Sequence, residues 1–418
     1  MSEAPAAKKR RILVVSQHYW PENFRINDIV DGFIAHGIEV DVLCGLPNYP
    51  TGEWFPGYRY TGPRRQQHAG AQLFRAGEVR RKGNTPLRIF LNYVSFPFFA
   101  LFSLPRLAPR KYDAVFCYET SPVLMIFPAI VYAKAHRVPL TTYVLDLWPD
   151  NLYSVLPVKN RALRGIAKSV SNWHYRRCTR LIAMSDALGA RLREVAQTAK
   201  RPPQIAVIPQ YGEDFYLEDI PDETLRARFA GAFNILFAGN ISPAQDLSSL
   251  VAAVALARKQ QPTLALRVLL LGEGMARAQL EADIARHGLE DAFVFCGQVP
   301  AQDIPRWTGV ADALFAGLAA SENLGLTVPA KVTSYLAAGR PLLIAMDGEG
   351  ARIASACGAA LVSPAGNAEA LAANILRLAT MPTEKRTDMG KAGRAYFRQH
   401  FSRAPLLEKL ERFILEGK

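Results

Sequence analysis

The sequence has few cysteines, and none of them forms a Cys-x-x-Cys pair. The five are Cys44, Cys117, Cys178, Cys296 and Cys357, and several lie in apolar runs such as VDVLCG and FVFCGQ. An odd, dispersed set excludes a disulfide framework and a structural zinc site of the usual spacing. We therefore expect buried thiols in a protein that works in a reducing compartment.

Long apolar runs are also scarce. The N-terminus is charged and lacks the apolar core of a secretory signal, which predicts a cytoplasmic location. The most apolar stretch, residues 89–105, is short for a bilayer span and is interrupted by Pro97. Basic residues flank it, which favours a helix lying on the inner face of the cell membrane. The alternative is a buried helix in a domain core.

Acidic residues are outnumbered, which gives a formal net charge of +13. The basic excess lies mainly in the first half of the chain, for example at 59–65, 75–88 and 161–180. Such a surface attracts nucleic acid, anionic lipid or phosphorylated ligands, unless it is simply solvated. No nucleic-acid-binding motif is present, so nucleic acid is the partner least expected.

What the sequence does contain is a repeated alternation of short apolar strands and helices. RILVVSQ, IEVDVLCG and YDAVFCYE in the first half, and FNILFAGN and LALRVLLLGEG in the second, are typical of buried parallel strands. The chain is also too long for one hydrophobic core. These features predict an α/β protein with two Rossmann-like, doubly wound domains facing a central cleft, residues 1–208 and 209–390. A helix over 391–418 is expected to pack back on the first domain.

Ligands of such sheets bind at the loops that follow the strands. In the second domain, three successive strands are followed by glycines and polar residues. The candidate ligand-binding residues there are Gly239, Asn240, Gln245, Gly272, Glu273, Gly274, Gln298 and Val299. The G-x-G at 272–274 lacks the third glycine of a dinucleotide fingerprint, so neither NAD nor another cofactor is predicted.

Lys331 gives the sharpest signal in this half. It follows Pro329 near the predicted start of the helix VTSYLAAG, and proline suits the approach to a helix. An ammonium beside the free N–H groups of a helix start makes a site for a diphosphate. The alternative is a surface lysine on a packing helix.

The loops of the first domain are polar and aromatic rather than glycine-rich. HYWPENFR supplies Glu22, Asn23 and Arg25, and GLPNYPTGEW supplies Asn48 and Tyr49. Arginine suits phosphate or a polar acceptor, and the tyrosine ring suits stacking on a sugar. These five are candidate acceptor-binding residues. The alternatives are a helix-capping loop and a loop packed on its own aromatic rings.

The segment LDLWPDN supplies the candidate catalytic residues. Asp146 lies at the carboxyl end of a strand, where an aspartate is a candidate base, and Asp150 follows one turn later. Trp148 is a candidate residue for lining the acceptor-binding site. The alternative for Asp146 is a helix cap. No Asp-x-Asp metal clamp is present, so no metal is predicted.

Taken in order, these segments resemble the retaining GT-B glycosyltransferases of family 4, the glycosyl transferases group 1. The resemblance rests on YWPENFRIND, HGIEVDVLCGLPNYPTG, YVLDLWPD, FAGNISPAQDL, LLGEG, FVFCGQVP and VPAKVTSYLAAGRPLL, over nearly the whole chain. PENFRIND and LPNYPTG are similar to a narrower branch, the fucosyl- and fucosaminyl-transferase-like proteins of colanic-acid and O-antigen synthesis.

The resemblance implies what each half binds. A nucleotide-sugar donor, UDP-linked, would bind the C-terminal domain, and a lipid-linked (polyprenyl diphosphate) saccharide would bind the N-terminal domain. It also implies transfer with retention and without a metal, at the cytoplasmic face of the inner membrane, in exopolysaccharide or O-antigen synthesis. Basic groups and helix N-termini would stabilise the departing diphosphate.

The sequence departs from the family pattern at several positions. The arginine and lysine that usually hold the diphosphate correspond to Asn240 and Gln245. The glutamate that usually binds ribose corresponds to Ser334, which we keep as a donor-binding candidate. Lys331 is a candidate replacement for the missing positive charge.

Two other functions remain open from the sequence. One is a nucleotide-sugar 2-epimerase on the same fold, which needs no lipid acceptor. The other is a non-catalytic member that binds a membrane or an enzyme complex, which the missing family residues would permit.

Overall fold

The computed structural model describes residues 9–149, 160–321 and 324–417, and the chain divides into two compact units. The first unit comprises residues 1–208 and 407–418, and the second comprises residues 209–406. The predicted catalytic residue Asp150 lies outside the described residues.

An eight-stranded sheet forms the centre of the first unit, in the order β3-β4-β2-β1-β5-β6-β7-β8. The strands are β1 (Arg11–Val15), β2 (Glu39–Cys44), β3 (Arg65–His68), β4 (Ala71–Arg75), β5 (Ala114–Glu119), β6 (Leu140–Val144), β7 (Arg180–Ala183) and β8 (Gln204–Val207). All neighbours pair in parallel except β3 with β4. β5 and β6 are buried at every position, as expected for strands covered on both faces.

Six helices precede residue 208 in the described part of the first unit. They are α1 (Arg25–Ala35), α2 (Pro86–Leu101), α3 (Leu104–Leu107), α4 (Ile126–His136), α5 (Arg161–Tyr175) and α6 (Asp186–Ala196). Side chains cap three of them, because Thr85, Asn160 and Ser185 accept hydrogen bonds from backbone N–H groups of α2, α5 and α6.

The second unit contains a six-stranded, fully parallel sheet in the order β11-β10-β9-β12-β13-β14. The strands are β9 (Phe233–Ala238), β10 (Leu266–Leu271), β11 (Phe293–Gly297), β12 (Ala313–Gly317), β13 (Leu342–Ala345) and β14 (Ala360–Ser363). The helices are α7 (Glu223–Phe229), α8 (Leu247–Gln260), α9 (Arg277–Arg286), α10 (Ile304–Thr308), α11 (Ala330–Ala338), α12 (Glu349–Ala356), α13 (Ala368–Ala379) and α14 (Thr383–His400). Alternate residues of β9 belong to apolar clusters on opposite faces of the sheet, which confirms the predicted doubly wound pattern.

The segment predicted as one returning helix, 391–418, is two helices. α14 stays with the second unit, and only the following helix, α15 (Arg403–Glu416), returns to the first from residue 407. Phe397 is fully buried in the second unit, and Gly390 and Gly393 let α14 approach α11 closely. The amphipathic pattern alone does not show which unit buries each part of the segment.

Candidate functional site

The loops that follow β9 and β10 meet through their backbones. The Ile241 N–H donates to the Glu273 carbonyl at 2.9 Å. A Cβ on Gly272 would lie 2.0 Å from the Gly239 carbonyl oxygen, and one on Gly274 would lie 2.1 Å from that of Ile241. Gly239 and Gly272 also have positive φ angles, +151° and +124°. Glycine is therefore required for this contact between the two predicted loops.

Lys331 reaches the first of these loops from the start of α11. Its Nζ donates to Gln245 Oε1 at 2.6 Å and lies 5.0 Å from the centroid of the Phe237 ring. A Cβ on Gly239 would lie 2.7 Å from the same Nζ. The structure thus brings together three residues singled out from the sequence, Lys331, Gln245 and Gly239, at the carboxyl end of β9.

The environment of Lys331 is unfavourable for an isolated charge. Burial lowers the pKa of its amine to about 8, and within the described part of the chain no carboxylate pairs with it. An anion placed beside Nζ would raise that pKa again by favouring the charged form. The arrangement therefore suits a phosphate group rather than a cation.

Ser334 lies one turn after Lys331 on α11. Its Oγ donates to Glu213 Oε2 at 2.7 Å, so a carboxylate lies beside the position where the resemblance expects a glutamate. Glu213 comes just before a short 3-10 turn, Asp214–Leu217, and sequence reasoning missed it. No local signal connects two residues that are 121 positions apart.

The remaining predicted donor-binding residues are less tightly grouped. Asn240 and Gln298 are exposed after β9 and β11, and Val299 packs half-buried against the core. The Glu273 carboxylate pairs with Arg277 of α9. Glu273 therefore joins the site through its backbone, while its side chain is occupied elsewhere.

In the first unit, Glu22 organises the second predicted loop. Its buried Oε1 accepts hydrogen bonds from the backbone N–H groups of Asn48 and Tyr49, both at 2.7 Å, and its Oε2 lies 2.9 Å from His18 Nδ1. Three of the five acceptor candidates therefore meet. The Tyr49 side chain remains 40% exposed, whereas Glu22 and Asn48 are almost completely buried.

A buried polar network that the sequence did not reveal continues from these residues. Arg81 Nη2 lies 3.2 Å from His18 Nε2, and its Nε donates to Asn92 Oδ1 at 3.0 Å. Gln17 donates to Asn92 at 2.9 Å and to Glu78 at 3.0 Å. Burial raises the pKa of Glu78 well above its usual range. The one available signal was a polar Asn92 inside an apolar run.

The other two acceptor candidates lie apart from this network. Asn23 is exposed, and Arg25 is the half-buried first residue of α1. The alternative of a side-chain cap is not found at α1, because its N-cap residue is Phe24 and makes no side-chain cap hydrogen bond. The Asn27 amide holds the preceding loop instead. Its Oδ1 accepts from the Trp20 N–H at 3.0 Å and its Nδ2 donates to the Glu22 carbonyl at 2.8 Å.

Asp146 and Trp148 follow β6. Asp146 is half-buried, and its carbonyl accepts a 3.4 Å hydrogen bond from the Tyr175 hydroxyl. Trp148 is buried, and its Nε1 donates to Ser121 Oγ at 3.0 Å, which fixes the indole ring. Trp148 therefore supports this edge of the sheet rather than presenting an open face.

Glu119 ends the neighbouring strand β5 and was not singled out from the sequence. It is fully buried, and neither carboxylate oxygen has a hydrogen-bond partner among the residues that the structure describes. Burial, and then the negative charge of Asp146, raise its pKa well above the usual range. The protonated form of Glu119 is therefore favoured relative to an exposed glutamate.

Helix α2 buries one side and exposes an apolar face on the other. The α2 apolar face consists of Leu87, Phe90, Leu91, Val94, Phe98, Phe99 and Phe102. On α5, an exposed apolar stripe consists of Leu163, Ile166, Val170 and Trp173. Both helices contact α4, so both stripes belong to the same helical layer. The residue 89–105 segment is thus neither wholly buried nor wholly exposed.

The described residues contain neither a candidate membrane-spanning helix nor a candidate metal site. No helix there is both long and apolar enough to cross a bilayer. No group of three or more histidine, cysteine, aspartate or glutamate side chains in the same residues is arranged to hold a metal ion.

The sequence matches one curated relative, and the fold matches many solved structures. A 2-deoxystreptamine glucosyltransferase of Streptomyces kanamyceticus is 28% identical over 234 residues, 51% of this chain and 59% of that relative. The chain therefore spans about three fifths of the relative's length. Sucrose-phosphate synthase of Thermosynechococcus elongatus superposes with a TM-score of 0.71 at 16% identity, covering 97% of this chain and 98% of that one. The HepE protein of Anabaena in complex with UDP gives 0.69 at 17% identity, with coverage of 97% and 98%.

Two family models match consecutive parts of the chain. Residues 23–210 match the glycosyl transferase 4-like domain, and residues 232–381 match the glycosyl transferases group 1. The matched segments coincide with the two parallel-sheet units, and the superposed structures share the predicted GT-B fold. The chain therefore has the GT-B fold, with one domain similar to the glycosyl transferase 4-like domain and one similar to the glycosyl transferases group 1.

Proposed function

We propose that the protein transfers a sugar from a UDP-sugar to a lipid-linked saccharide at the inner face of the cell membrane. The reaction retains the anomeric configuration and serves the synthesis of a bacterial exopolysaccharide or O-antigen. The observation that carries the donor half of the proposal is the amine of Lys331, which lies half-buried beside Gly239 and Gln245 and pairs with no carboxylate of the described residues. The Anabaena protein of the same fold was solved with UDP and with UDP-glucose, which supports the same donor class here.

The chemistry follows from where negative charge develops. The bond between the sugar C1 and the diphosphate oxygen breaks, and a bond between C1 and an acceptor hydroxyl oxygen forms. Lys331 and the N–H groups at the start of α11 stabilise the charge on the departing UDP. Asp146 receives the hydroxyl proton as general base. No residue in this scheme requires a metal ion.

The acceptor half of the proposal rests on the first unit. The network of Glu22, Asn48 and Tyr49 offers one exposed aromatic ring beside buried polar groups, which suits a sugar. No member of the α2 apolar face is charged, and the basic residues Arg88 and Arg106 lie on either side of its main stretch, residues 90–102. Such a surface suits the boundary between lipid headgroups and acyl chains, where a lipid-linked acceptor resides.

A UDP-release assay over UDP-, GDP- and dTDP-sugars, with and without bacterial lipid extract, tests the function. Release of UDP that increases with lipid supports a transferase, and NMR of the product gives the anomeric configuration. Isomerised nucleotide sugar without a lipid requirement would indicate a 2-epimerase. If folded protein releases no nucleotide from any sugar donor in the panel, the result would indicate a non-catalytic member. Unchanged activity in EDTA is expected.

Two variants test the assigned roles separately. Lys331→Ala should weaken UDP binding by about 1–3 kcal/mol, the range for a charged hydrogen bond. Asp146→Asn should slow transfer while leaving UDP affinity nearly unchanged. UDP affinity that Lys331→Ala leaves intact, or that Asp146→Asn abolishes, would contradict the assignment.

A further inference from the structure

The second unit contains a cavity of about 500 Å³ that shares no lining residue with the candidate donor site. Its walls come from the segment Asp219–Pro221, from the turn Gly339–Arg340 that ends α11, and from α14. Three arginines, one lysine and one carboxylate line it, namely Arg226, Arg340, Arg394, Lys391 and Asp219. The cavity is therefore strongly basic.

Arg394 and the single carboxylate are already occupied by each other. Arg394 Nη1 and Nη2 donate to the two oxygens of Asp219, each at 2.7 Å. Its Nε also donates to the Ala337 carbonyl at 3.0 Å, which secures the C-terminal end of α11. A Cβ on Gly339 would lie 2.3 Å from this Nε, so the glycine makes room for the arginine. Both Asp219 oxygens are thus hydrogen-bonded to Arg394, and the charge of Asp219 only partly offsets that of the other cations.

Arg340 is the cation with unused hydrogen-bonding capacity. It is half-buried, and its Nη2 donates to the Gly309 carbonyl at 3.0 Å. Within the described ranges, no carboxylate forms an ion pair with it, and its Nε and Nη1 have no protein acceptor. Burial lowers its pKa most, the negative charges of Asp219 and Asp312 raise it, and the nearby Arg394 and Arg226 lower it again. A bound anion would favour its charged form.

Arg226 and Lys391 are also available to a ligand. Arg226 pairs with Glu223 at 2.8 Å and Lys391 with Asp388 at 3.4 Å, in each case three residues away on the same helix. Neither of these exposed carboxylates lines the cavity. Exposed pairs of this kind contribute little free energy and exchange readily for a better anion.

We propose that this cavity binds a small phosphate monoester, with Arg340 as the main contact and Arg226 and Lys391 as supporting cations. A guanidinium offers two parallel N–H donors that match phosphate oxygens. Four cations against the single carboxylate of Asp219 leave an excess of three positive charges in the cavity, which suits a compact dianion better than a monoanion. The volume accommodates a sugar phosphate. The proposal does not depend on the transferase activity.

Calorimetric titration of the full chain with glucose 6-phosphate, and separately with inorganic phosphate, tests the site. Arg340→Gln should weaken binding roughly tenfold or more, the loss expected for a charged hydrogen bond. Lys391→Gln, an exposed change that spares the fold, should weaken binding severalfold. Lys385→Gln is the matched control, because Lys385 is exposed on the same helix and does not line the cavity. Lys331→Ala should leave the affinity unchanged.

Three results would overturn the assignment. Absence of binding heat from both probes at concentrations up to about 10 mM would exclude the site, because metabolites are present at millimolar concentrations in cells. An equal loss in Lys385→Gln would indicate diffuse surface charge, and a loss confined to Lys331→Ala would indicate the donor site. Vesicles of phosphatidylcholine with phosphatidic acid present the same monoester on a lipid. Binding to them that requires Arg340, without binding of glucose 6-phosphate, would replace the small molecule by a lipid headgroup.

Discussion

The buried position of Lys331 disfavours the charged form of its amine, and a bound diphosphate would favour that form again. The amine has a pKa of about 8 without ligand, and a bound anion raises it. Binding therefore takes up a proton once the pH exceeds about 8. The affinity for UDP should accordingly fall as the pH rises further, by up to about tenfold per unit.

The arginine variant provides the control for this pH dependence. Lys331→Arg keeps its charge throughout, because a guanidinium does not lose its proton in this range. Calorimetric titration with UDP at pH 7, 8 and 9 should give a falling affinity for the wild type and a nearly constant one for Lys331→Arg. Parallel curves would mean that another group titrates.

Glu119 makes the stability of the first unit depend on pH. Its pKa is raised in the folded chain, so the unfolded chain loses its proton first as the pH rises. The stabilisation present below the unfolded pKa is therefore lost progressively toward the folded one. Between pH 5 and pH 8, the free energy of unfolding should therefore fall more in the wild type than in Glu119→Gln.

Urea denaturation of both proteins at the two pH values measures this difference. Glu194→Gln serves as the control, because Glu194 is exposed on α6 and should not alter the pH dependence. Glu78, whose pKa is also raised, is present in all three proteins and cancels from the comparison. An identical pH dependence in wild type and Glu119→Gln would show that Glu119 is not the titrating group.

At the scale of single elements, α2 exposes more apolar surface than its packing requires. Phe98 and Phe102 are 56% and 67% exposed, and transfer of either ring into lipid gains about 1.5–3 kcal/mol. Phe98→Ser and Phe102→Ser should each weaken binding to anionic vesicles roughly tenfold or more. Vesicle sedimentation measures the partitioning. Met275→Ser, at an 85% exposed apolar residue of the second unit, should leave it unchanged.

The elements best predicted from sequence are those whose pattern has one physical cause. Apolar β-branched runs gave β1, β2 and β9 because strands buried on both faces need apolar side chains throughout. The β3–β4 hairpin was not predicted from the sequence, since β3 (RQQH) is a polar edge strand. Contacts between residues that are distant in sequence could not be predicted either. Gln245 was selected because of its position after a strand, whereas nothing in the sequence indicated that Glu213 lies beside Ser334.

At the scale of the whole molecule, the net charge of +13 sets the conditions for membrane binding. Exposed charges are screened within about 10 Å at 0.1 M salt. Association with vesicles containing about one third anionic lipid should weaken roughly tenfold or more between 0.05 and 0.5 M NaCl, since each basic residue near the surface contributes about 1 kcal/mol. Phosphatidylcholine vesicles should show little salt dependence. Equal salt dependence on both would assign binding to the apolar faces alone.

The return of α15 to the first unit has a consequence for how the protein is made. Leu407, Leu410, Phe413 and Ile414 are buried there, and Arg180 and Gln204 donate hydrogen bonds to carbonyls of Ile414 and Gly417. During translation, the strands before residue 208 emerge from the ribosome first. The helix α15 can pack against them only after all of the second unit has been translated. At about 5–20 residues per second, that interval lasts tens of seconds. The first unit thus begins folding first and finishes last, with apolar surface open to chaperones in between.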